Sequence, residues 1–259
     1  MSALPSVFIS HGSPMHALEP GAAGEAWAAL GRSLEHPKAI VIASAHWETN
    51  IPMLTGSSRP ETIHDFSGFP DPLYRLKYPA PGDPALAQRA QALLREGGFA
   101  AGIDGSRGLD HGAWSPLLYM YPHADIPVVQ LSVQPALGPG HHVALGHALR
   151  PLAKEGVLVL GSGHLTHNLR DWDRSGRAQP MPYAQAFQRF VFENIESWNL
   201  DRLAEYRALS PEGVRAHPTE EHFLPLFVAL GAAREGTRPE RIFDKIEAGA
   251  LAMDAYVFH

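Results

Sequence analysis

Four short stretches, each ending near a histidine, constrain this chain more than any other feature of it. The first is Ser6-Val7-Phe8-Ile9-Ser10-His11, followed at once by Gly12-Ser13-Pro14. An apolar, β-prone run stops at the histidine and meets turn residues. It reads as a strand that delivers His11 to the edge of a sheet. The second is the continuous apolar run from Ala39, which closes with His46-Trp47. Such a run is the signature of a central strand covered on both faces. The third, Val157-Leu158-Val159-Leu160, runs through Gly161-Ser162-Gly163 into His164 and His167. The fourth sets His111 between Asp110 and Gly112. In open α/β sheets, ligands bind beyond the carboxyl ends of the strands. A single histidine there is ordinarily a solvated loop residue; the repetition argues for chemistry.

Helical stretches separate these runs. Gly24 to Leu34 has helical composition, and Pro84 to Gly97 carries Pro at its start and Gly-Gly at its end. Leu117 to Tyr121, His141 to Lys154 and Pro182 to Trp198 read as further helices, and Ile126 to Val133 as a buried strand. A helix is predicted to begin at Thr219 as N-cap. Its apolar positions Phe223, Leu226, Phe227 and Leu230 follow the i, i+3, i+4, i+7 pattern. Met253 to Phe258 is expected to be an edge strand. Alternating strands and helices predict an α/β fold: a central, mostly parallel or mixed sheet with helices on both faces. No repeat or linker divides the chain, so residues 1–259 are expected to form one domain.

Between Gly56 and Pro81 lies a Pro-, Gly- and aromatic-rich segment without periodicity. A loop of that length in a compact domain is usually functional or disordered. Its aromatics point to a pocket wall or to a cluster that packs the loop down.

Composition narrows the chemistry. With no cysteine, thiolate metal sites, disulfides and cysteine nucleophiles are excluded. Fifteen histidines in 259 residues invite a search for clusters, and a net charge of −6 gives no basic footprint for nucleic acid or a membrane surface. The N-terminal residues show no secretory pattern and no long apolar run occurs, so a cytoplasmic protein is expected. His11, His46, His111, His167 and His222 could converge on one crevice. Spacing leaves two readings open: a shared metal site, for which imidazole suits Fe, Zn, Cu and Ni, or separate hydrogen-bonded histidines.

Six motifs in register carry a resemblance. They are Ser10-His11-Gly12-Ser13-Pro14, Ser44-Ala45-His46-Trp47, His64-Asp65-Phe66-Ser67-Gly68-Phe69-Pro70, Asp110-His111-Gly112, Thr166-His167-Asn168-Leu169-Arg170 and Glu221-His222-Phe223-Leu224-Pro225. Together, over almost the whole chain, they resemble the class III extradiol ring-cleavage dioxygenases, in particular the DOPA 4,5-dioxygenase-like subgroup. The resemblance implies Fe(II) held by His11, His46 and His222, with zinc as the ion a crystal would readily carry. It leaves open whether Glu221 replaces or supports His222. It implies an acid/base role for His167 and a role beside the oxygen-derived intermediate for His111. It also implies substrate contacts in the loop, at His64, to which Phe66, Phe69 and Tyr74 are added as ring-covering aromatics. His123, His164 and His217 match no motif and are expected at the surface or as supporting residues behind the ligands.

The expected activity is ring opening of a catechol by O₂. The substrate's identity and the oligomeric state are not readable. Two rivals compete: a zinc-dependent hydrolase of an amide or ester with Asp65, Asp110 or Glu221 as base, and a non-catalytic metal-binding member of the same superfamily.

Overall fold

The computed structural model describes residues 3–173, 175–234 and 236–259. In chain order the elements are β1 (Ser6–Ser10), α1 (Gly21–Ser33), β2 (Ala39–Glu48), β3 (Met53–Thr55), α2 (Pro84–Glu96), β4 (Gly102–Asp104), α3 (His111–Met120), β5 (Val128–Val133), α4 (Gly138–Leu149) and β6 (Val157–Gly163). Then follow α5 (Pro182–Glu196), the short helices α6 (Leu200–Ala204), α7 (Tyr206–Leu209) and α8 (Gly213–Ala216), α9 (Leu224–Ala232), β7 (Pro239–Phe243), a ribbon of β8 (Ile246–Glu247) and β9 (Leu251–Ala252), and β10 (Ala255–Phe258). The described residues form one eight-stranded sheet in the order β4-β3-β5-β2-β6-β1-β10-β7, beside the small β8-β9 ribbon. β5, β2, β6 and β1 run parallel to one another, β3 joins β5 antiparallel, and β10 and β7 add antiparallel pairs at the other side. The mixed α/β sheet is the architecture the sequence predicts.

Alternation explains why β2 reads as continuously apolar. Ile40 and Ile42 pack into the core under α1 and α3; Ala39, Val41 and Ala43 pack on the other face, with α2 and α4. Val7 and Ile9 of β1 go with the first face and Phe8 with the second. Among the described residues no helix is long and apolar enough to cross a membrane.

The strand ends carry the consequence. In register, Ser10 lies beside Gly163, and Ser44 beside Ser162. Extending each pairing past its last partner sets His11, His164 and His46 at one level across three parallel strands. Gly161-Ser162-Gly163 is the end of β6 itself. Its glycines are required by close approach. A Cβ on Gly161 would lie 2.1 Å from the Pro225 carbonyl oxygen, and one on Gly163 would lie 2.1 Å from that of His222. The segment bearing His222 can therefore rest directly on β6, and the His164 N–H donates to the His222 carbonyl at 2.7 Å.

Three features differ from expectation. The last helix starts at Leu224 rather than after Thr219: residues 218–220 form a bend and 221–223 a turn, and Thr219 Oγ1 donates to Glu221 Oε1 instead of capping. Pro225 near the helix start marks that later beginning. The apolar face does hold, with Phe223, Leu226, Phe227 and Leu230 all 0% exposed. Each contributes roughly 1.5–3 kcal/mol by burial, and Leu230→Ala would cost about 2–5 kcal/mol. α3 begins at His111, six residues before the expected Leu117, despite Pro116 inside it. β10 is not an edge strand: it is covered by β7, which sequence periodicity misses.

Candidate metal centre

His11 emerges from β1 with its N–H bound to the Gly163 carbonyl at 3.0 Å. His46 lies in β2, its N–H on Ser44 Oγ at 3.2 Å. His222 lies within the turn before α9. Their ring nitrogens converge: His46 Nε2 is 3.0 Å from His11 Nε2 and 3.3 Å from His222 Nε2. Protons need not bridge these gaps, because an oxygen stands beside each Nδ1. His222 Nδ1 donates to Glu221 Oε1 at 2.9 Å. His11 Nδ1 meets Ser162 Oγ at 3.1 Å, and that hydroxyl's own proton goes to the Gly112 carbonyl. His46 Nδ1 faces Asp65 Oδ2 at 3.4 Å. With Nδ1 protonated, every Nε2 is a lone pair aimed at its neighbours' lone pairs. Three imidazoles at about 2.1 Å from one cation would present their nitrogens at this separation. The donor set thus fits a single divalent metal, with outer partners that fix each tautomer.

Burial and the neighbouring histidines hold these rings neutral, the form that coordinates metal. Burial first, then His164 and His46, pull the pKa of His11 well below its usual value, and burial and His167 do the same for His222. Burial and His111 bring His46 down to about 3, against the pull of Asp65.

Around the triad stand the remaining polar groups. His167 stacks on His222, ring centroids 3.5 Å apart and planes 13° from parallel. Burial, His46 and His111 lower it to about 3, so it is a neutral acceptor. His111 opens α3, with Asp110 as N-cap accepting from the Ala113 N–H. Asp65 receives both the His111 N–H and Nδ1–H at 2.9 Å. Burial opposes the charge of Asp65, but the bonds and charges of His111 and His46 outweigh it and hold the carboxyl at about 2. One carboxylate thus orients two histidines and leaves His111 Nε2 for the cavity.

These groups line a cavity of about 280 Å³, walled on its apolar side by Pro14, Phe66, Phe69, Leu169, Trp172 and Leu251. Of the expected site residues, His11, His46, His111, His167, His222, Phe66 and Phe69 meet there. His64 and Tyr74 do not. His64 turns back to the Leu76 carbonyl at 3.0 Å and packs against Trp114, while the Tyr74 hydroxyl accepts from the Phe69 N–H. They brace Phe66 from behind, with ring centroids 5.8 and 5.3 Å from it.

His164, which matches no motif, is 1% exposed, lines the cavity and lies 4.9 Å from the His11 ring, in the supporting place that was one of its two expected settings. Its place level with His11 across the β1–β6 pairing is the signal that would have found it. Leu169, Trp172 and Leu251 carried none, since they reach the cavity through loop and ribbon packing. His217 is buried elsewhere on the Leu165 carbonyl, and His123 is exposed. Asp110, a candidate base, is 0% exposed and occupied by Ser44, Arg107 and Gln130, so it cannot reach a substrate.

Comparison with known proteins gives a consistent result. The family model described as the catalytic LigB subunit of aromatic ring-opening dioxygenase matches residues 5–250. A Beta vulgaris protein named 4,5-DOPA dioxygenase extradiol is 43% identical over 255 residues, covering 97% of this chain and 95% of that protein. An Escherichia coli (strain K12) protein of the same name is 42% identical, covering 96% and 93%. A crystal structure of an uncharacterized Escherichia coli K12 protein superposes with a TM-score of 0.86 at 36% identity, covering 99% of this chain and all of the other.

Proposed function

The chain belongs to the family of catalytic LigB subunits of aromatic ring-opening dioxygenases and is an extradiol ring-cleaving enzyme, and from that premise we propose that it opens a DOPA-like catechol with O₂ at one metal held by His11, His46 and His222. The observation that carries this reading is the meeting of three Nε2 lone pairs whose Nδ1 protons are anchored elsewhere. Three neutral imidazoles suit Fe(II) and Zn(II) alike. Ring opening by O₂ requires a metal that exchanges electrons, so Fe(II) is the working ion. Bound there, it would supply Lewis acidity and electron transfer between the catechol and O₂.

The chain's own residues supply the rest. Phe66, Phe69, Trp172 and Leu251 cover an aromatic ring and keep water from it. Neutral His167 takes a proton from a catechol hydroxyl, a transfer worth about 10²–10⁴-fold in rate. His111 presents Nε2, and Asp65 stabilises positive charge on that ring through Nδ1. Glu221 supports His222 rather than replacing it, since its carboxylate is spent on Nδ1. The hydrolase reading loses its base, as Asp65, Asp110 and Glu221 are all committed. The cysteine-free chain needs no oxidising compartment, and a cytoplasmic site of action is part of the proposal.

The test is anaerobic Fe(II) reconstitution followed by oxygen-electrode assays with L-DOPA and simpler catechols. Oxygen uptake with a yellow ring-opened product is expected. No uptake with any catechol, at full iron occupancy, would overturn the reading.

A further inference from the structure

Helix α3 holds a proline at its sixth residue. Pro116 has no N–H, so the helical bond from residue 116 back to the Gly112 carbonyl cannot form. That carbonyl is buried and accepts the hydroxyl proton of Ser162 instead. Ser162, itself 0% exposed in β6, has only one proton to give. Having spent it on Gly112, the hydroxyl can only accept from His11 Nδ1. The tautomer of His11 is therefore set by a chain of contacts that begins at a missing N–H.

We propose that Ser162 is the positioning residue that makes His11 a metal ligand, and that Pro116 serves the site by leaving the Gly112 carbonyl free to hold Ser162. The inference rests on the reading that His11, His46 and His222 bind the metal. A neutral imidazole has two tautomers, and only the one protonated at Nδ1 offers Nε2 to a cation. Without the Ser162 hydroxyl, His11 can carry its proton on Nε2 and can turn about its side-chain bonds. The same peptide also bears on a second ligand: a Cβ on Gly112 would lie 2.5 Å from Ser44 Oγ and 2.9 Å from His46 Cδ2. The first turn of α3 thus fixes His11 through Ser162 and abuts His46 directly.

The experiment measures Co(II) affinity of the apo protein by competition with a chromophoric chelator. It also records the cobalt d–d spectrum and the thermal midpoint of the apo protein. Ser162→Ala should weaken Co(II) binding about 10–100-fold and shift the spectrum. Adding Pro116→Ala supplies a new N–H for the Gly112 carbonyl. The double variant should regain thermal midpoint while its affinity stays at the Ser162→Ala level. That split separates positioning from packing, and the double variant carries the test if the single one does not fold. Wild-type affinity and spectrum in Ser162→Ala would overturn the proposal. So would affinity that returns together with the midpoint; a midpoint that fails to recover would overturn the role of Pro116. His11→Ala in the same assay keeps the two levels apart. If it binds cobalt like the wild type, the triad itself fails; if it loses cobalt while Ser162→Ala does not, only this inference fails.

Discussion

His142 in α4 and His11 at the end of β1 are both buried and both held neutral, yet they use their nitrogens in opposite ways. His142 spends both on its own chain: Nδ1 donates to the Gly138 carbonyl at 2.7 Å, and Nε2 accepts the Gln134 N–H at 3.0 Å. His11, His46 and His222 spend only Nδ1 on the protein and turn Nε2 toward one another. Burial is therefore no guide to function here. Three unshared lone pairs facing one another in a low-dielectric pocket are unfavourable unless a cation occupies the point between them, whereas His142 is complete as it stands.

Removing members of the two sets should break the comparison most visibly. His46→Ala or His222→Ala is expected to abolish measurable metal binding and activity together, more than the 10–100-fold of an outer partner. His142→Gln should leave metal content unchanged. If His142→Gln strips the metal, or His222→Ala retains it, the distinction drawn from the nitrogens is wrong.

His167 sharpens the comparison from inside the pocket. It stacks on His222, and its ring nitrogen groups with Glu221 and His222 rather than with His11 and His46. His167→Ala should keep metal occupancy and catechol binding and lose about 10²–10⁴-fold in turnover. Metal analysis and single-turnover kinetics decide it: lost iron would make His167 a ligand, and full turnover a bystander. Glu221→Ala ranks next. Because Glu221 holds His222 Nδ1, affinity should fall about 10–100-fold. Unchanged affinity would show that the Glu221 contact does not fix the ring.

The aromatic wall yields a smaller effect and shows where sequence reasoning stops. Phe66→Ala removes apolar cover of roughly 1.5–3 kcal/mol and should raise KM about tenfold or more. His64→Ala should change KM little and lower stability by about 1 kcal/mol, through its bond to the Leu76 carbonyl. A larger KM change for His64 than for Phe66 would return His64 to the pocket. The strand-end histidines were legible because a strand's alternation and its final turn fix where the last side chain points. His64 and Tyr74 were not, because an irregular loop sets direction through tertiary contacts that have no period. His222 was legible as a residue but not in its setting, since Pro225 and the β6 glycines, not Thr219, decide where α9 starts. β7 escaped because it is partly exposed and short, with charged residues at two of its five positions.

The last effect lies outside the cavity, at His142, and tests the other half of the comparison. Burial, the first cause, lowers His142 to about 4 although the Gly138 carbonyl pulls the other way. In the unfolded chain it titrates near its ordinary 6.5. A group with a depressed folded pKa keeps the protein stable while neutral, so the His142 contribution is fully present above about pH 6.5. Below that the unfolded state takes up a proton that the folded state refuses. Stability then falls by about 1.4 kcal/mol per pH unit for this one site, until protonation of the folded form near pH 4 ends the loss. The structural reason is that a proton on Nε2 would face the Gln134 N–H. His142→Gln keeps a polar side chain but cannot take a proton. Denaturant unfolding of the metal-loaded protein between pH 7 and pH 5 should show a pH slope about one proton shallower in the variant than in the wild type. Equal slopes would mean that His142 is not held neutral by its burial and the Gln134 N–H.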